Sequence, residues 1–240
     1  MNIVFYTFFY RPCFNLIVFL TKFLPGHDLG LAVIVFAVLL RILLHPFFKE
    51  QKKLESLRGE IEKIQKKFKN NKEQLTKEIL ALYQRERVSP LSSFIFLGLQ
   101  LAIAFAFFLV VSELKDGISQ LEMKKLYSFV SPPPFLSPFF LGFIDLSAPF
   151  LILKEGVRFY WPAFVLVLLN LILNIFLAQR MPLKSSPLSF QKQFFYFSLF
   201  FTFFLPSIFV LYWLVNTFLG LLFQEIEKYG RKNPKSQTNN

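Results

Sequence analysis

The chain alternates long apolar segments with short polar ones. A membrane-spanning helix needs about 20 mostly apolar residues, and the apolar runs predict five spans: residues 29–48, 94–111, 161–178, 194–205 and 208–223. The last two are short and are separated by Pro206. Because proline cannot continue a helix, we predict a hairpin with its turn at Pro206. One long helix kinked at this proline is the alternative.

Two further segments flank the predicted spans. Residues 12–24 are apolar and aromatic and are broken at Pro25-Gly26, so residues 1–28 predict a helix that lies in the membrane interface. Residues 112–160 separate the second and third spans. They contain three consecutive prolines at 132–134, and they predict one amphipathic helix over residues 118–130.

Residues 49–90 have a helical period but are too polar to cross a membrane. Their apolar positions recur at spacings of three and four on both sides of Asn70-Asn71, at Leu54, Leu57, Ile61, Ile64, Phe68, Leu75, Ile79 and Leu82. This pattern predicts an antiparallel hairpin of two helices. Alternating lysine and glutamate favours a solvated linker. A docking arm for a partner with an acidic or RNA surface is the alternative.

The distribution of basic residues between the spans predicts which side of the membrane each connecting segment is on. The net charge is +12, and the basic residues concentrate in segments 49–90, 179–193 and 224–240, whereas 112–160 is balanced. Cytoplasmic loops of membrane proteins carry the excess of lysine and arginine. We therefore expect the three basic segments in the cytoplasm, residues 112–160 outside, the N-terminus outside and the C-terminus in the cytoplasm.

Composition supports a single all-α membrane domain over residues 1–240. The chain is 54% hydrophobic and contains 35 phenylalanines, more apolar surface than a soluble domain of this size requires. The single Cys13 excludes an internal disulfide and a cysteine metal site. The sequence contains neither a glycine-rich phosphate loop nor a metal-ligand motif. We therefore expect neither cofactor nor metal, and no enzymatic activity.

Arg41 lies within the first predicted span. Charged residues inside a membrane are costly and usually face protein or water. One explanation is that the side chain snorkels toward Lys49. The explanation we favour is a polar cavity, because no Asp or Glu lies within a predicted span to neutralise the charge. Water is then expected to reach the guanidinium.

A few other polar or amphipathic residues lie within the spans. They are Gln100, Asn170, Asn174, Tyr212, Trp213 and Asn216. Asn170 and Asn174 are four residues apart and so share one helix face. Polar residues in this setting either line a cavity or hydrogen-bond between helices, and the sequence leaves both roles open for the asparagines. Together with Arg41, the six residues are the candidate lining of a hydrophilic groove.

Short motifs occur in a characteristic order along nearly the whole chain. They are Leu40-Arg41-Ile42-Leu43-Leu44 with Pro46, Lys49-Glu50-Gln51-Lys52-Lys53, Ile79-Leu80-Ala81-Leu82-Tyr83, Ser89-Pro90-Leu91, Gln100, residues 143–149 and 176–181, Leu205-Pro206-Ser207, Leu211-Tyr212-Trp213 and Asn216. In this order and spacing the chain resembles the YidC/Oxa/Alb membrane protein insertases, and among them the bacterial YidC type.

The resemblance implies five transmembrane helices around a hydrophilic groove that is open to the cytoplasm and the lipid. Arg41 matches the family arginine that attracts acidic residues of a substrate. Gln100, Tyr212, Trp213 and Asn216 fall at or near groove positions, and the cytoplasmic hairpin matches the element that receives substrates. The implied partners are nascent membrane proteins, the ribosome, the Sec translocon, signal-recognition components and the lipid bilayer of the plasma (inner) membrane.

Two departures from the family pattern are expected. We expect no large extracytoplasmic domain before the first span. The segment after Phe223 is short, so we do not expect strong ribosome binding by the tail.

Overall fold

The structure, a computed structural model, describes residues 2–114, 117–153, 156–180, 200 and 202–232. Within these residues the chain is mostly helical. It divides into two compact units: Met1–Arg41 together with Ala106–Asn240, and Ile42–Phe105.

The helices, numbered in chain order, are α1 (Ile3–Phe23), α2 (Leu29–Leu43), α3 (His45–Ser56), α4 (Arg58–Lys67), α5 (Lys72–Arg85), α6 (Pro90–Leu114), α7 (Gln120–Met123), α8 (Trp161–Arg180) and α9 (Ser207–Lys232). Four short strands form two antiparallel hairpins, β1 (Phe139–Phe140) with β2 (Ile144–Asp145), and β3 (Leu151–Ile152) with β4 (Arg158–Phe159).

Three helices of the described chain are long and apolar enough to cross a membrane by length and composition: Ile3–Phe23, Phe94–Leu114 and Ser207–Ile226. A fourth candidate is the broken pair Leu29–Leu43 and His45–Gln51, and Trp161–Leu177 is a shorter apolar helix. An all-α membrane protein accounts for this set.

The fourth predicted span, residues 194–205, lies outside the described residues except for Phe200 and residues 202–205. Residues 202–206 are not helical, and α9 begins at Ser207. The predicted helix over residues 194–205 is therefore wrong at its end, and the alternative of one long helix kinked at Pro206 is wrong as well. The hairpin stays a prediction.

The first predicted span is not one unbroken helix. We expected residues 29–48 to be continuous, but α2 ends at Leu43 and α3 begins at His45. Pro46 has no N–H to donate to the preceding turn, and its ring disfavours helical geometry at the residue before it. The helix restarts where the amide of Phe48 donates to the carbonyl of Leu44 at 3.1 Å.

The buried and exposed faces of helix α8 are those expected of a helix in contact with lipid. Its buried face carries Ala163, Leu166, Val167, Asn170 and Asn174, while apolar side chains on its other faces, such as Leu168 and Ile172, are exposed. A soluble helix has the opposite arrangement, with its polar residues outside. An exposed apolar face with buried amides is typical of a helix that contacts acyl chains.

The predicted amphipathic helix over residues 118–130 is wrong in length, since only α7 forms. Ser119 starts this helix with a capping box to Glu122. The chain then turns because α1 holds it: Arg11 Nε and Asn15 Nδ2 donate to the carbonyl of Lys125 at 3.0 and 3.1 Å. These tertiary hydrogen bonds replace those of a continued helix.

Helix α1 is also fixed at Tyr10. The Tyr10 hydroxyl hydrogen-bonds to the carboxylate of Glu113, near the end of α6. Lys125 Nζ lies 2.5 Å from the same carboxylate and 2.9 Å from the tyrosine hydroxyl. The middle of α1 is therefore at the level where α6 ends.

In the second unit, α4 and α5 pack against each other around Leu57, Leu82 and Val88. Leu57 and Leu82 are two of the predicted seam positions. Asn71 begins α5 by accepting from the amide of Gln74 at 3.1 Å. Arg85 at the end of α5 pairs with Glu60 at the start of α4, with 2.9 Å between Nη2 and Oε2.

Candidate functional site

Arg41 lies in the last turn of α2 and is half-buried. It follows Leu29 by about 18 Å along the helix axis, at ~1.5 Å per residue. The hydrocarbon layer is about 30 Å thick, so a span that begins at Leu29 carries Arg41 past its midpoint. The C-terminal turn of a helix has a partial negative charge, which favours a cation at this position.

Helix α9 contacts the guanidinium. Cζ of Arg41 lies 5.8 Å from the centroid of the Phe223 ring. A Cβ added at Gly220 would be 3.5 Å from Nη2 of Arg41. Gly220 and Phe223 are three residues apart and thus neighbours on one face of the helix. Together they form a small recess and an aromatic wall beside the positive charge.

The same face of α9 carries three predicted site residues. Tyr212, Asn216 and Gly220 are spaced by four and Phe223 follows three later, so all four lie within a narrow arc of the helix. Trp213 precedes Gly220 by two helical turns and is adjacent to this arc. We call Tyr212, Trp213, Asn216, Gly220 and Phe223 the α9 stripe. Its members are all half-buried.

Aromatic and backbone contacts hold the N-terminal part of the stripe, at Tyr212 and Asn216, in place. The Tyr212 ring stacks on Phe107 of α6 with centroids 4.7 Å apart, and Phe107 stacks on Phe36 of α2 at 5.7 Å. The Asn216 amide donates to the Tyr212 carbonyl at 3.0 Å. The stacked rings fix the rotation of α9 relative to α2, which also determines where Gly220 and Phe223 meet Arg41.

Asn170 and Asn174 lie between helices. Both are almost completely buried. Nδ2 of Asn170 donates across to the carbonyl of Val210 on α9 at 3.4 Å, and Nδ2 of Asn174 donates to the carbonyl of Asn170 at 2.8 Å. In these contacts the two amides act as hydrogen-bonded links, one between α8 and α9 and one within α8.

Gln100 belongs to the second unit. It lies in α6, and its side chain is exposed.

Gly220 and Phe223 were not predicted from the sequence. The signal that would have found them is the spacing from Asn216, because positions four and seven residues further along a helix continue the same face. Glycine and phenylalanine carry no chemistry in a membrane segment until a charged partner is placed beside them. The described residues contain no group of three or more His, Cys, Asp or Glu side chains that could hold a metal ion.

Known proteins are similar to this chain over most of its length. Residues 19–233 match the family described as 60Kd inner membrane protein. Three similar proteins are each named membrane protein insertase YidC. The one from Geobacter metallireducens is 25% identical over 221 residues, covering 89% of this chain and 35% of that protein.

The protein from Endomicrobium trichonymphae is 29% identical over 229 residues, covering 92% of this chain and 39% of the relative. The protein from Syntrophus aciditrophicus is 27% identical over 203 residues, covering 81% of this chain and 32% of the relative. The chain therefore spans about a third of the length of these relatives.

The family match covers far more than half of the chain, and it includes Arg41, Gln100, both asparagines of α8 and the whole α9 stripe. The apolar helices of the structure agree with a location in the bacterial inner membrane. The chain belongs to the YidC/Oxa/Alb family of inner-membrane proteins.

Proposed function

We propose that this protein inserts other proteins into the membrane. In this proposal, short polar flanks of a client enter a positively charged groove, and the client's apolar segment leaves the groove sideways into lipid. The names of the relatives support insertion. The groove mechanism is argued below from the site.

The observation that carries the proposal is the position of Arg41 at one end of the α9 stripe. The guanidinium is half-buried against Gly220 and Phe223, on the helix face that also carries Tyr212 and Asn216. A stripe with hydroxyl, indole and amide groups that ends at a cation is suited to a polar peptide flank with an acidic residue. Asn170 supports the stripe from α8 through its hydrogen bond to the carbonyl of Val210.

The energy for insertion comes from the client. Transfer of its apolar segment into lipid contributes about 0.8 kcal/mol per buried methylene, so a full span supplies enough without a nucleotide. The barrier is the polar flank, because unsatisfied polar groups in hydrocarbon cost several kcal/mol each. A water-accessible groove with a positive charge lowers that barrier, and the protein acts without catalysing a chemical reaction.

The proposed topology has five crossings, with the N-terminus outside and the C-terminus in the cytoplasm. The basic segments 49–90, 179–193 and 224–240 support this orientation. In this arrangement α4 and α5 project into the cytoplasm as an antiparallel arm. Their small apolar core at Leu57 and Leu82 supports an arm that moves as a unit and meets the ribosome, the Sec translocon or signal-recognition components.

The decisive experiment compares clients that differ only in flank charge. Arg41→Ala and Arg41→Lys variants are reconstituted with single-span clients whose translocated flank carries either Asp/Glu or Asn/Gln. Protection of the flank from added protease measures insertion. We expect Arg41→Ala to impair the acidic client more strongly, and Arg41→Lys to retain much of the activity because a point charge remains.

Lys124→Ala is the matched control, because it removes one positive charge at an exposed position outside the predicted spans. It is expected to insert both clients normally. If Arg41→Ala impairs both clients equally, the electrostatic part of the mechanism is wrong.

Two other functions predict different results. A solute transporter moves its substrate across vesicles that contain no ribosomes or client. An assembly scaffold tolerates the loss of Arg41. An insertase places a client in contact with Gln100 and Trp213, so photo-crosslinkers at these positions are expected to capture a nascent single-span protein. Capture at neither position contradicts insertion through this groove.

A further inference from the structure

Two hairpins of the first unit expose apolar side chains. Those on the β1–β2 hairpin are Phe139, Leu141 and Phe143, and those at the β3–β4 hairpin and just after it are Val157, Phe159 and Trp161. Their exposed fractions run from 44% at Phe139 to 66% at Trp161. We call these six residues the apolar rim. Exposed apolar residues of this kind on two hairpins and at the start of a helix indicate a contact surface.

The tip of the first hairpin is held in an unusual conformation. Leu141 has φ of 53°, a left-handed backbone that residues with a side chain seldom adopt. Its amide donates to Oδ2 of Asp28 at 2.7 Å. A strained backbone persists only where the surroundings enforce it. Here the enforcing contact directs a large apolar side chain outward instead of into the core.

Asp28 also holds the β1–β2 hairpin next to the start of α2. Its other oxygen, Oδ1, accepts from the amides of Gly30 and Leu31 at 2.7 and 3.1 Å, and so caps the start of α2. The same carboxylate therefore joins the tip at Leu141 to the point where a membrane-spanning helix begins. With α2 crossing the membrane, the tip would lie at the boundary between lipid and water.

The second hairpin is at the same end of the unit. β4 leads directly into α8 at Trp161, and the exposed residues of the rim continue into the exposed apolar face of α8 at Phe164, Val165 and Leu168. The amide of Ile208, at the start of α9, donates to the carbonyl of Leu146 beyond β2 at 3.0 Å. Three helices thus begin beside the two hairpins.

We propose that the apolar rim is a lipid anchor, inserted into the headgroup and upper acyl layer of the leaflet at which α2, α8 and α9 begin. Tryptophan and phenylalanine at this depth are typical of the aromatic belt of membrane proteins. The exposed Arg158, between Val157 and Phe159, adds a cation that suits lipid phosphate. Continuity with the lipid-facing side of α8 favours lipid over a protein partner.

The anchor does not depend on the insertion mechanism, because it requires only that the helices cross the membrane. Its effect would be to hold the ends of α2 and α9 at a fixed depth through Asp28 and Leu146. Helices α2 and α9 carry Arg41 and the stripe, so this depth also determines how far the positive charge lies inside the bilayer.

A fluorescence experiment in nanodiscs tests the proposal. Leu141→Cys and Val157→Cys are made separately in a Cys13→Ala background and labelled with an environment-sensitive fluorophore. Gln120→Cys is the control, because Gln120 is exposed in the same connecting segment but outside the rim. Lipids spin-labelled on the upper acyl chain report on burial in the leaflet, and iodide reports on access to water.

We expect labels at Leu141 and Val157 to show blue-shifted emission, loss of intensity with spin-labelled lipid and little loss with iodide. The label at Gln120 is expected to show the opposite. The proposal is overturned if the two rim labels respond like the control. It is also overturned if neither quencher reaches them, since a protein partner or a second copy then covers the rim.

Discussion

The guanidinium of Arg41 lies over the ring of Phe223, with 5.8 Å between Cζ and the ring centroid. The two residues are far apart in sequence, and α9 brings them together. A cation over an aromatic face gains about 0.5–2 kcal/mol, depending on how far it is desolvated. The position of the intramembrane charge is therefore set by the last helix as well as by its own.

Gly220→Asp is expected to place a carboxylate beside Arg41 and so to weaken its attraction for an acidic client flank. A Cβ at this position meets Nη2 at 3.5 Å, an ordinary contact, so the new carboxylate can reach the guanidinium without moving the backbone. We expect insertion of acidic-flank clients to fall toward the level of Arg41→Ala. The measurement is protease protection of the client flank.

Gly220→Asn is the control for Gly220→Asp, since it has nearly the same size and no charge. It should retain most of the insertion of both client types. If Asn and Asp impair insertion to the same extent, the recess at Gly220 matters for its shape and the proposed neutralisation is wrong.

Asp28→Asn is expected to destabilise the first unit and free the β1–β2 tip. The carboxylate accepts three backbone amides, those of Gly30, Leu31 and Leu141. An asparagine amide group would face one of these donors with another donor. Asparagine can still cap α2 through its oxygen, so the lost contact is the one with the amide of Leu141. Leaving that partly buried donor unsatisfied costs about 1–3 kcal/mol, which thermal unfolding in detergent would detect, and hydrogen exchange at Leu141 should rise.

Asp145→Asn provides the comparison for Asp28→Asn. Its Oδ1 accepts from the amide and hydroxyl of nearby Ser147 and makes no link to another helix among the described residues, so a smaller loss is expected. Equal losses for the two variants would show that Asp28 has no special role in joining α2 to the hairpin.

Asn170→Leu is expected to weaken the contact between α8 and α9. The substitution removes the hydrogen bond from Asn170 to Val210. Interhelical hydrogen bonds in membrane proteins contribute about 0.6 kcal/mol on average and up to about 1.7 kcal/mol, measurable as a loss of stability in detergent. Asn174→Leu should cost less, because Asn174 bonds within its own helix. The reverse order would contradict this assignment.

Helix α1 is expected to lie along the outer surface although it is long enough to cross. Its middle meets the end of α6 through Tyr10 and Glu113, and Lys22 near its end donates to Ser131 at 2.6 Å. The first contact is in the last turn of α6, and the second is on the segment that follows α6. A crossing helix would carry its middle deep into the bilayer, away from that segment.

The test of α1 uses Asn2→Cys and Lys22→Cys in a Cys13→Ala background, both at exposed positions. A membrane-impermeant maleimide added to one side of sealed vesicles should modify both variants or neither. Modification from opposite sides would mean that the helix crosses the membrane.

Much of the helix pattern was readable from local sequence. The apolar runs of α6 and α8 predicted helices at 94–111 and 161–178, and the structure extends each by a few residues. Leu57 and Leu82 were predicted as packing positions from a spacing of three and four. These features are local, because an apolar run or a helical period reports directly on the environment of one segment.

The helix predictions were wrong where the backbone groups of a segment form hydrogen bonds with a distant segment, or where a proline removes a hydrogen bond. The residues after Met123 are periodic enough for a helix, but Arg11 and Asn15 take the carbonyl of Lys125. Pro46 favours the break between Leu43 and His45. The residues on both sides of it are apolar, however, so the sequence predicted one continuous span. In both places a hydrogen bond made or lost outweighs a weak helical preference.

The sequence by itself determined that this chain is a helical membrane protein, and that Arg41 is the charge to explain. Hydrophobic transfer into lipid is proportional to apolar surface, so composition and span length carry that information. Only the tertiary structure decided that Gly220 and Phe223 lie beside Arg41, that Asp28 joins α2 to Leu141, and that Asn170 links α8 to α9. Such contacts depend on how the helices rotate and pack, which no local period encodes.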